Sequence, residues 1–250
     1  MKTLLLTGKM GSGKSSFINE LFMLLNVPLT GLRSIRHFED GKFIGFDMTI
    51  VEDFAIKDSW ELARFRGNEA RINADFKKAT EFLNNLYGKE LVFIDELGRF
   101  ERNDNEYLGA VEKLINSDTK SIISLKKEDL PFNNHLIEMS RYNKNIKFID
   151  LDIISKEKLD EFIMNISGIK KEKIRKTVFY CEEYEKNIKQ SIYNKKIHFY
   201  KIENIFDMTA EFLNKERKNS EIFYYFTKNI DEMKRASDIG FVVLDDLNKI

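Results

Sequence analysis

The stretch Gly8-Lys9-Met10-Gly11-Ser12-Gly13-Lys14-Ser15, continued by Ser16, follows the pattern G-x-x-x-x-G-K-[ST]. Glycines at these places let successive backbone N–H groups turn inward on phosphate oxygens, and a helix N-terminus behind them adds partial positive charge. In such a loop Lys14 is expected to reach the β- and γ-phosphates and the Ser15 hydroxyl to ligate Mg²⁺. A glycine-rich connection that merely turns has no use for a lysine followed by two serines.

Mg²⁺ takes oxygen ligands and keeps several waters, so a further carboxylate is expected from a neighbouring strand end. In ELVFIDELGRFE the apolar run Leu91–Ile94 ends in Asp95-Glu96. Asp95 fits the metal-facing carboxylate that closes such a strand. Glu96, one residue on, is placed to orient or deprotonate a water attacking the γ-phosphate. A kinase would instead need a pocket for an acceptor. Lys14 and Glu96 are therefore the catalytic candidates, Ser15 and Asp95 the metal candidates, and Gly8 to Ser16 the nucleotide-binding segment.

These residues need strands that stop and helices that start at the right places. Thr3–Leu6 reads as a strand, and Phe17, Ile18, Leu21, Phe22 and Leu25 recur at helical spacing after the loop. Asp40-Gly41 between two β-rich runs predicts a hairpin. In the segment after Trp60 the period changes: Asn73 is expected to cap a helix from about Ala74, with Phe76, Ala79, Phe82, Leu83 and Leu86 as its stripe and Gly88 as its stop. Helical pattern over Asn105 to Asn116 alternates with strand candidates Lys120–Leu125 and Ile146–Asp152. Strands alternating with helices predict an α/β fold with a mostly parallel sheet, whose sites lie at the carboxyl ends of strands.

From about Ser155 the composition turns to lysine, glutamate, isoleucine and tyrosine. The segment predicts a helix, a break at Gly168 and a second helix. Short strands in TVFYC, KIHFYKI, EIFYYFT and GFVVLDDL follow, with helical stretches such as Phe206 to Lys218 between them. The expected organisation is a nucleotide-binding domain over 1–154 and a small α/β C-terminal unit over 155–250, whose role no motif reveals. Phe179, Tyr180, Tyr224 and Tyr225 read as core aromatics of strands rather than as a base-stacking surface.

Lys+Arg and Asp+Glu both number 41, so no global basic field argues for nucleic acid or an anionic membrane. No apolar run approaches the roughly 20 residues of a membrane helix, and MKTLLLTG is short for a signal sequence. The one cysteine, Cys181, excludes an internal disulfide and reads as a half-buried, inert thiol. The expected compartment is the cytoplasm.

The blocks LLLTGKMGSGKSSFINEL, GLRSIRHFEDGKFIGFDM, RGNEARINADFKKA and LVFIDELGRFE resemble, in order, those of the thermophilic nucleoside-triphosphatase family, also described as nucleotide kinase-related. The resemblance covers roughly residues 1–150. It is most specific in D-E-x-G-x-x-E, matched by Asp95, Glu96, Gly98 and Glu101, and next in Gly45-Phe46-Asp47. It implies a P-loop NTPase fold that hydrolyses ATP, GTP and other nucleoside triphosphates slowly with Mg²⁺. It also implies phosphate contacts from Gly8 to Ser15, with metal and water handled by Asp95 and Glu96.

Arg33, Arg36, Arg99 and Arg102 are the arginines near these blocks. Each reads first as a surface charge, with Arg33, and likewise Glu101, as supporting candidates for the site. His37, His135 and His198 are scattered, and Trp60 reads as a core or edge aromatic. The expected activity is Mg²⁺-dependent hydrolysis of a nucleoside triphosphate. The alternatives are a nucleoside or nucleotide kinase on the same loop, and a nucleotide-gated adaptor whose C-terminal unit binds a protein partner.

Overall fold

Strand β1 (Thr3–Thr7) is buried at every position, as a short apolar run flanked on both edges by parallel strands must be. In the computed structural model, which describes residues 1–40, 42–52, 55–66, 69–73, 75–86, 89–169, 173–191, 197–205, 208, 221–238, 240–245 and 247, the chain divides into two compact units. One comprises Met1–Lys14, Leu29–Glu52 and Ile56–Ile154; the other comprises Ser15–Pro28, Asp53–Ala55 and Ser155–Ile250.

The first unit is built on an eight-stranded sheet. Its further strands are β2 (Gly31–Glu39), β3 (Lys42–Glu52), β4 (Ala55–Arg66), β5 (Glu69–Ile72), β6 (Leu91–Leu97), β7 (Lys120–Leu125) and β8 (Ile146–Asp150), in the order β5-β4-β3-β2-β6-β7-β1-β8. From β2 to β8 the pairs are parallel, whereas β2–β3 and β4–β5 are antiparallel. In the parallel half, β7 lies between β1, which feeds the glycine loop, and β6, which ends in Asp95 and Glu96. Helices α2 (Lys77–Asn84), α3 (Asn105–Asn116) and α4 (Pro131–Tyr142) contribute Ala79, Leu83, Tyr107, Val111, Leu114 and Leu136 to one core with Leu5, Val92, Ile94 and Ile123. Asp104 caps α3, its side chain accepting from the Tyr107 N–H at 2.9 Å.

The hairpin forms where Asp40 marks it, with Asp40 at φ 48°; Gly41 lies outside the described residues. One reading of the following segment is corrected. Residues 55–66 and 69–72 form the strands β4 and β5; the mixed polar pattern of AIKDSWELARFR belongs to a strand outside the parallel core. Helix α2 begins at Lys77, whose N–H bonds the Asp75 carboxylate at 3.0 Å, rather than behind an Asn73 cap. It ends at Asn84; Gly88, and Ala74 before it, lie outside the described residues. Trp60 packs against the core and donates its indole N–H to the Asp75 carbonyl at 2.9 Å.

The second unit holds a four-stranded sheet of β9 (Arg175–Cys181), β10 (Ile197–Ile202), β11 (Glu221–Phe226) and β12 (Val242–Leu244), parallel throughout, in the order β10-β9-β11-β12. Its helices are α5 (Lys156–Ser167), α6 (Glu185–Ser191) and α7 (Ile230–Asp238). Gly168 breaks the chain after α5 at φ 68°, as expected. The second helix expected after it is corrected: strand β9 begins at Arg175, and 170–172 lie outside the described residues, as does nearly all of 206–218. Phe179, Tyr224 and Tyr225 are buried. Cys181 is also buried rather than half-buried, its Sγ 3.1 Å from the Tyr225 hydroxyl.

The helix that follows the glycine loop, α1 (Lys14–Leu25), also belongs here from Ser15 onward. Asn19, 1% exposed, donates its side-chain amide to the carbonyls of Ser237 at 3.2 Å and Phe241 at 2.9 Å. The Met23 sulfur accepts the Phe223 N–H at 3.2 Å.

Candidate active site

Strand β1 hands over to the loop at Gly8, where a side chain would run into Ser12 Oγ. Gly11 and Gly13 stand at φ 81° and 89°, values a residue with a Cβ avoids. The loop closes on its own lysine: Lys14 Nζ donates to the carbonyls of Gly8 at 2.7 Å and Lys9 at 2.9 Å. Burial pushes the Lys14 pKa below the usual ammonium range, against the pull of Glu96, Asp95 and Asp152. The charges of Asp95 and Glu96, at the end of β6, thus act on the Lys14 ammonium. Met10, at the loop tip, is 83% exposed.

The carboxylates sit on an irregularity. Ile94 pairs with Ile123 and Leu97 with Leu125, so Asp95 and Glu96 together face the single residue Ser124. This is a β-bulge, a device that re-aims side chains next to active sites. Glu96 stands at φ 85°, a left-handed conformation that costs a residue with a side chain about 1–3 kcal/mol. Its carboxylate, 39% exposed, lies 3.4 Å from Lys126 Nζ.

Arg33 is not a surface charge. It is 3% exposed, pairs in register with Asp95 across β2 and β6, and places Nε 3.2 Å from Asp95 Oδ2. Its guanidinium also stacks 4.9 Å over the Phe93 ring. The cause is register: a buried carboxylate needs an adjacent cation, and β2 supplies one at the matching position.

Glu101 folds back under its own loop. It is 2% exposed, and Oε2 accepts the Gly98 N–H at 2.8 Å. Burial, reinforced by the nearby Glu96 charge and opposed by the Gly98 hydrogen bond, pushes its pKa up to about 7. Glu101 thus ties the ends of Gly98-Arg99-Phe100 together directly behind Asp95-Glu96.

Several residues here carried no sequence motif. Asp152, just past β8, accepts the Lys9 N–H at 3.0 Å and the Lys127 ammonium at 2.9 Å; Lys127 also bonds Asp150 at 2.8 Å. The Lys127 hydrogen bond, chiefly, holds the Asp152 carboxyl below the usual range. This pair anchors the start of the loop to the strand beside β1. The only signal available to sequence was position, since Lys126-Lys127 and Asp150-Asp152 follow strands that end on the loop's side. Among the described residues, no group of three or more His, Cys, Asp or Glu side chains is arranged to hold a metal by itself.

Two curated proteins called nucleoside-triphosphatase THEP1 are similar to this chain. The one from Thermotoga sp. (strain RQ2) is 24% identical over 170 residues, covering 65% of this chain and 94% of its own length. The one from Thermotoga petrophila is 29% identical over 138 residues, covering 52% and 74%. Among solved structures, the crystal structure of THEP1 from Aquifex aeolicus aligns at 16% identity and a TM-score of 0.47 over 66% of this chain and 96% of that one. The solution structure of a human cancer-related nucleoside triphosphatase aligns at 21% identity and a TM-score of 0.48 over 67% and 96%. The NTPase family model matches residues 3–164, more than half of the chain and the whole of the loop-and-carboxylate region just described, so the chain belongs to the NTPase family and is an enzyme of nucleoside-triphosphate hydrolysis.

Proposed function

We propose that this enzyme hydrolyses ATP, GTP and other nucleoside triphosphates to the diphosphate and phosphate, with Mg²⁺ as its metal. The observation that carries the proposal is the placement of Lys14 in the field of Glu96 and Asp95. The glycine loop follows β1 and the carboxylate pair ends β6, two parallel strands with β7 between them. In this reading the backbone from Gly8 to Ser16 wraps the phosphates, and the Lys14 ammonium exchanges its loop carbonyls for phosphate oxygens. Glu96 orients the attacking water and takes its proton; its exposure allows water to reach it. Ser15, the residue after Lys14, and Asp95 are the protein oxygens assigned to the metal. An all-oxygen set of so few ligands suits a Mg²⁺ that keeps waters and phosphate oxygens in its shell. Bound there, Mg²⁺ supplies neutralisation of the charge that develops on the phosphates.

The direct test is phosphate release from ATP without an acceptor, with Mg²⁺ and with EDTA. ADP formation that needs an added nucleoside or nucleotide, with the phosphoryl group on that acceptor and no free phosphate, would favour a kinase and sink the proposal.

A second role for 155–250 is favoured by α1. The helix that the glycine loop feeds is held within the second unit through Asn19 and Met23, which suits a unit that senses the loop and presents the result to a protein partner. No nucleic-acid or membrane partner is proposed: charge is balanced, and among the described residues no helix is long and apolar enough to cross a membrane. The proposed compartment is the cytoplasm.

A further inference from the structure

Strand β7 carries a buried hydroxyl that its surroundings leave unsatisfied. Ser124 is 0% exposed, and its Oγ has no hydrogen-bond partner. Buried hydroxyls without partners are rare because they forfeit water and gain nothing. Where this one lies is informative. Its neighbours Ile123 and Leu125 pair with Ile94 and Leu97, so Ser124 alone faces Asp95-Glu96 across the bulge.

Strand alternation then fixes the face. Ile123, Leu125, Ile94 and Leu32 all belong to the core under α2, α3 and α4. The residues between or beside them, Ser124, Asp95 and Arg33, therefore share the opposite face of the sheet. Of the two carboxylates that face Ser124 across the bulge, Glu96 is 39% exposed and pairs with Lys126, whereas Asp95 is buried. Asp95 is the acceptor left for Ser124, and in this structure its Oδ2 lies against Arg33.

We propose that Ser124 is a positioning residue for Asp95: when a divalent metal-nucleotide complex draws the Asp95 carboxylate from Arg33, Ser124 Oγ–H donates to it and fixes the oxygen that meets the metal. The inference rests on the proposed role of Asp95. The unsatisfied hydroxyl is then the partner that Asp95 acquires in the loaded state. A ligand held by such an outer hydrogen bond keeps its orientation, and losing that bond weakens metal binding typically 10–100-fold.

The test uses the full chain, Mn²⁺ as the probe, and electron paramagnetic resonance of Mn²⁺ added to the ATP-bound protein. Ser124→Ala is expected to weaken Mn²⁺ binding roughly 10–100-fold. It should leave ATP binding in EDTA unchanged and should not lower Tm, since it removes an unsatisfied group. Ser124→Thr, which restores the hydroxyl, is expected to bind Mn²⁺ more tightly than the alanine variant. Unchanged Mn²⁺ binding in a folded Ser124→Ala protein overturns the inference. So does a parallel loss of Mn²⁺ binding, metal-free ATP binding and Tm, which would mark a packing role. Asp95→Asn separates the layers: if it too binds Mn²⁺ like the wild type, the role of Asp95 fails and takes the inference with it. If Asp95→Asn alone loses Mn²⁺, only the role of Ser124 fails.

Discussion

Arg33 Nε stands 3.2 Å from Asp95 Oδ2, with the two side chains 4% and 8% exposed. Neither charge is easily carried alone in such surroundings. Arg33→Met is expected to destabilise the protein by about 3–5 kcal/mol, the usual cost of stranding one member of a buried pair. The double variant Arg33→Met/Asp95→Asn should recover much of that loss. Urea unfolding of the metal-free protein checks both, and equal stability of the two variants would rule out the pair as the cause.

Lys14→Ala is expected to lower nucleotide affinity and turnover together, because the ammonium contacts phosphates in the ground and transition states alike. Calorimetric titration and a phosphate assay check it. Wild-type binding and turnover in this variant would end the phosphate-loop assignment.

Glu96→Gln is expected to lower kcat by roughly 10²–10⁴-fold with nucleotide binding preserved, the range for loss of a general base. If turnover stays at the wild-type level, the water is handled by another group, and Glu101 is the next candidate.

Glu101 predicts a pH dependence of stability. Its folded pKa of about 7 lies above the ordinary value of 4.5, so the folded state binds the proton more tightly than the unfolded chain. The contribution is complete below about pH 4.5 and is lost as pH rises through about 7, amounting to roughly 3 kcal/mol over that window. Glu20, pushed up to about 7 chiefly by burial in the second unit, acts with the same sign. Glu101→Gln keeps an oxygen for the Gly98 N–H and removes the titration. Urea unfolding at pH 5 and pH 8 should therefore show a smaller loss for the variant than for the wild type; equal losses would contradict the assignment.

The fragment 1–154 is expected to fold around the core of the first unit and to bind Mg-nucleotide, since the loop, both carboxylates and β8 lie within it. Circular dichroism and nucleotide titration check it. An unfolded fragment would mean that α1 cannot stand without the second unit. A folded fragment that fails to bind would mean that 155–250 completes the pocket.

The first unit was legible wherever one local signal dominated. The glycine loop, the buried run Leu91–Ile94 and helix α3 announce themselves through backbone freedom, continuous apolarity and a 3.6 period. Strands β4 and β5 were not legible, because AIKDSWELARFR satisfies partners along the chain's far edge without a clean alternation. Arg33 was misread for a related reason: nothing in GLRS says that β2 will lie in register with Asp95. Asp152, Lys127 and Ser124 became visible only once β7 and β8 took their places beside β1: Asp152 reaches Lys9 over 143 residues of sequence, Lys127 reaches Asp150 and Asp152 from the strand on the other side of β1, and Ser124 faces Asp95-Glu96 across the β6–β7 pairing.

Helix α1 turns Asn19 and Met23 to the second unit, while the NTPase family model ends at residue 164. An appended unit that had merely been tethered to the carboxyl end could be shed by a single stop codon. This one has taken hold of the helix that begins at Lys14. Truncation would at once uncover an amide and a thioether shaped for carbonyl and N–H partners that had vanished. The fusion therefore behaves as a soft evolutionary ratchet: a fragment without the unit keeps the nucleotide loop but carries the cost of those stranded groups, and that cost falls only as the helix is rewritten for water, position by position. Replacing Asn19 and Met23 with lysine or glutamate should raise the stability of the 1–154 fragment while lowering that of the full chain, so a lineage abandoning the unit gains most by changing the helix first and deleting second.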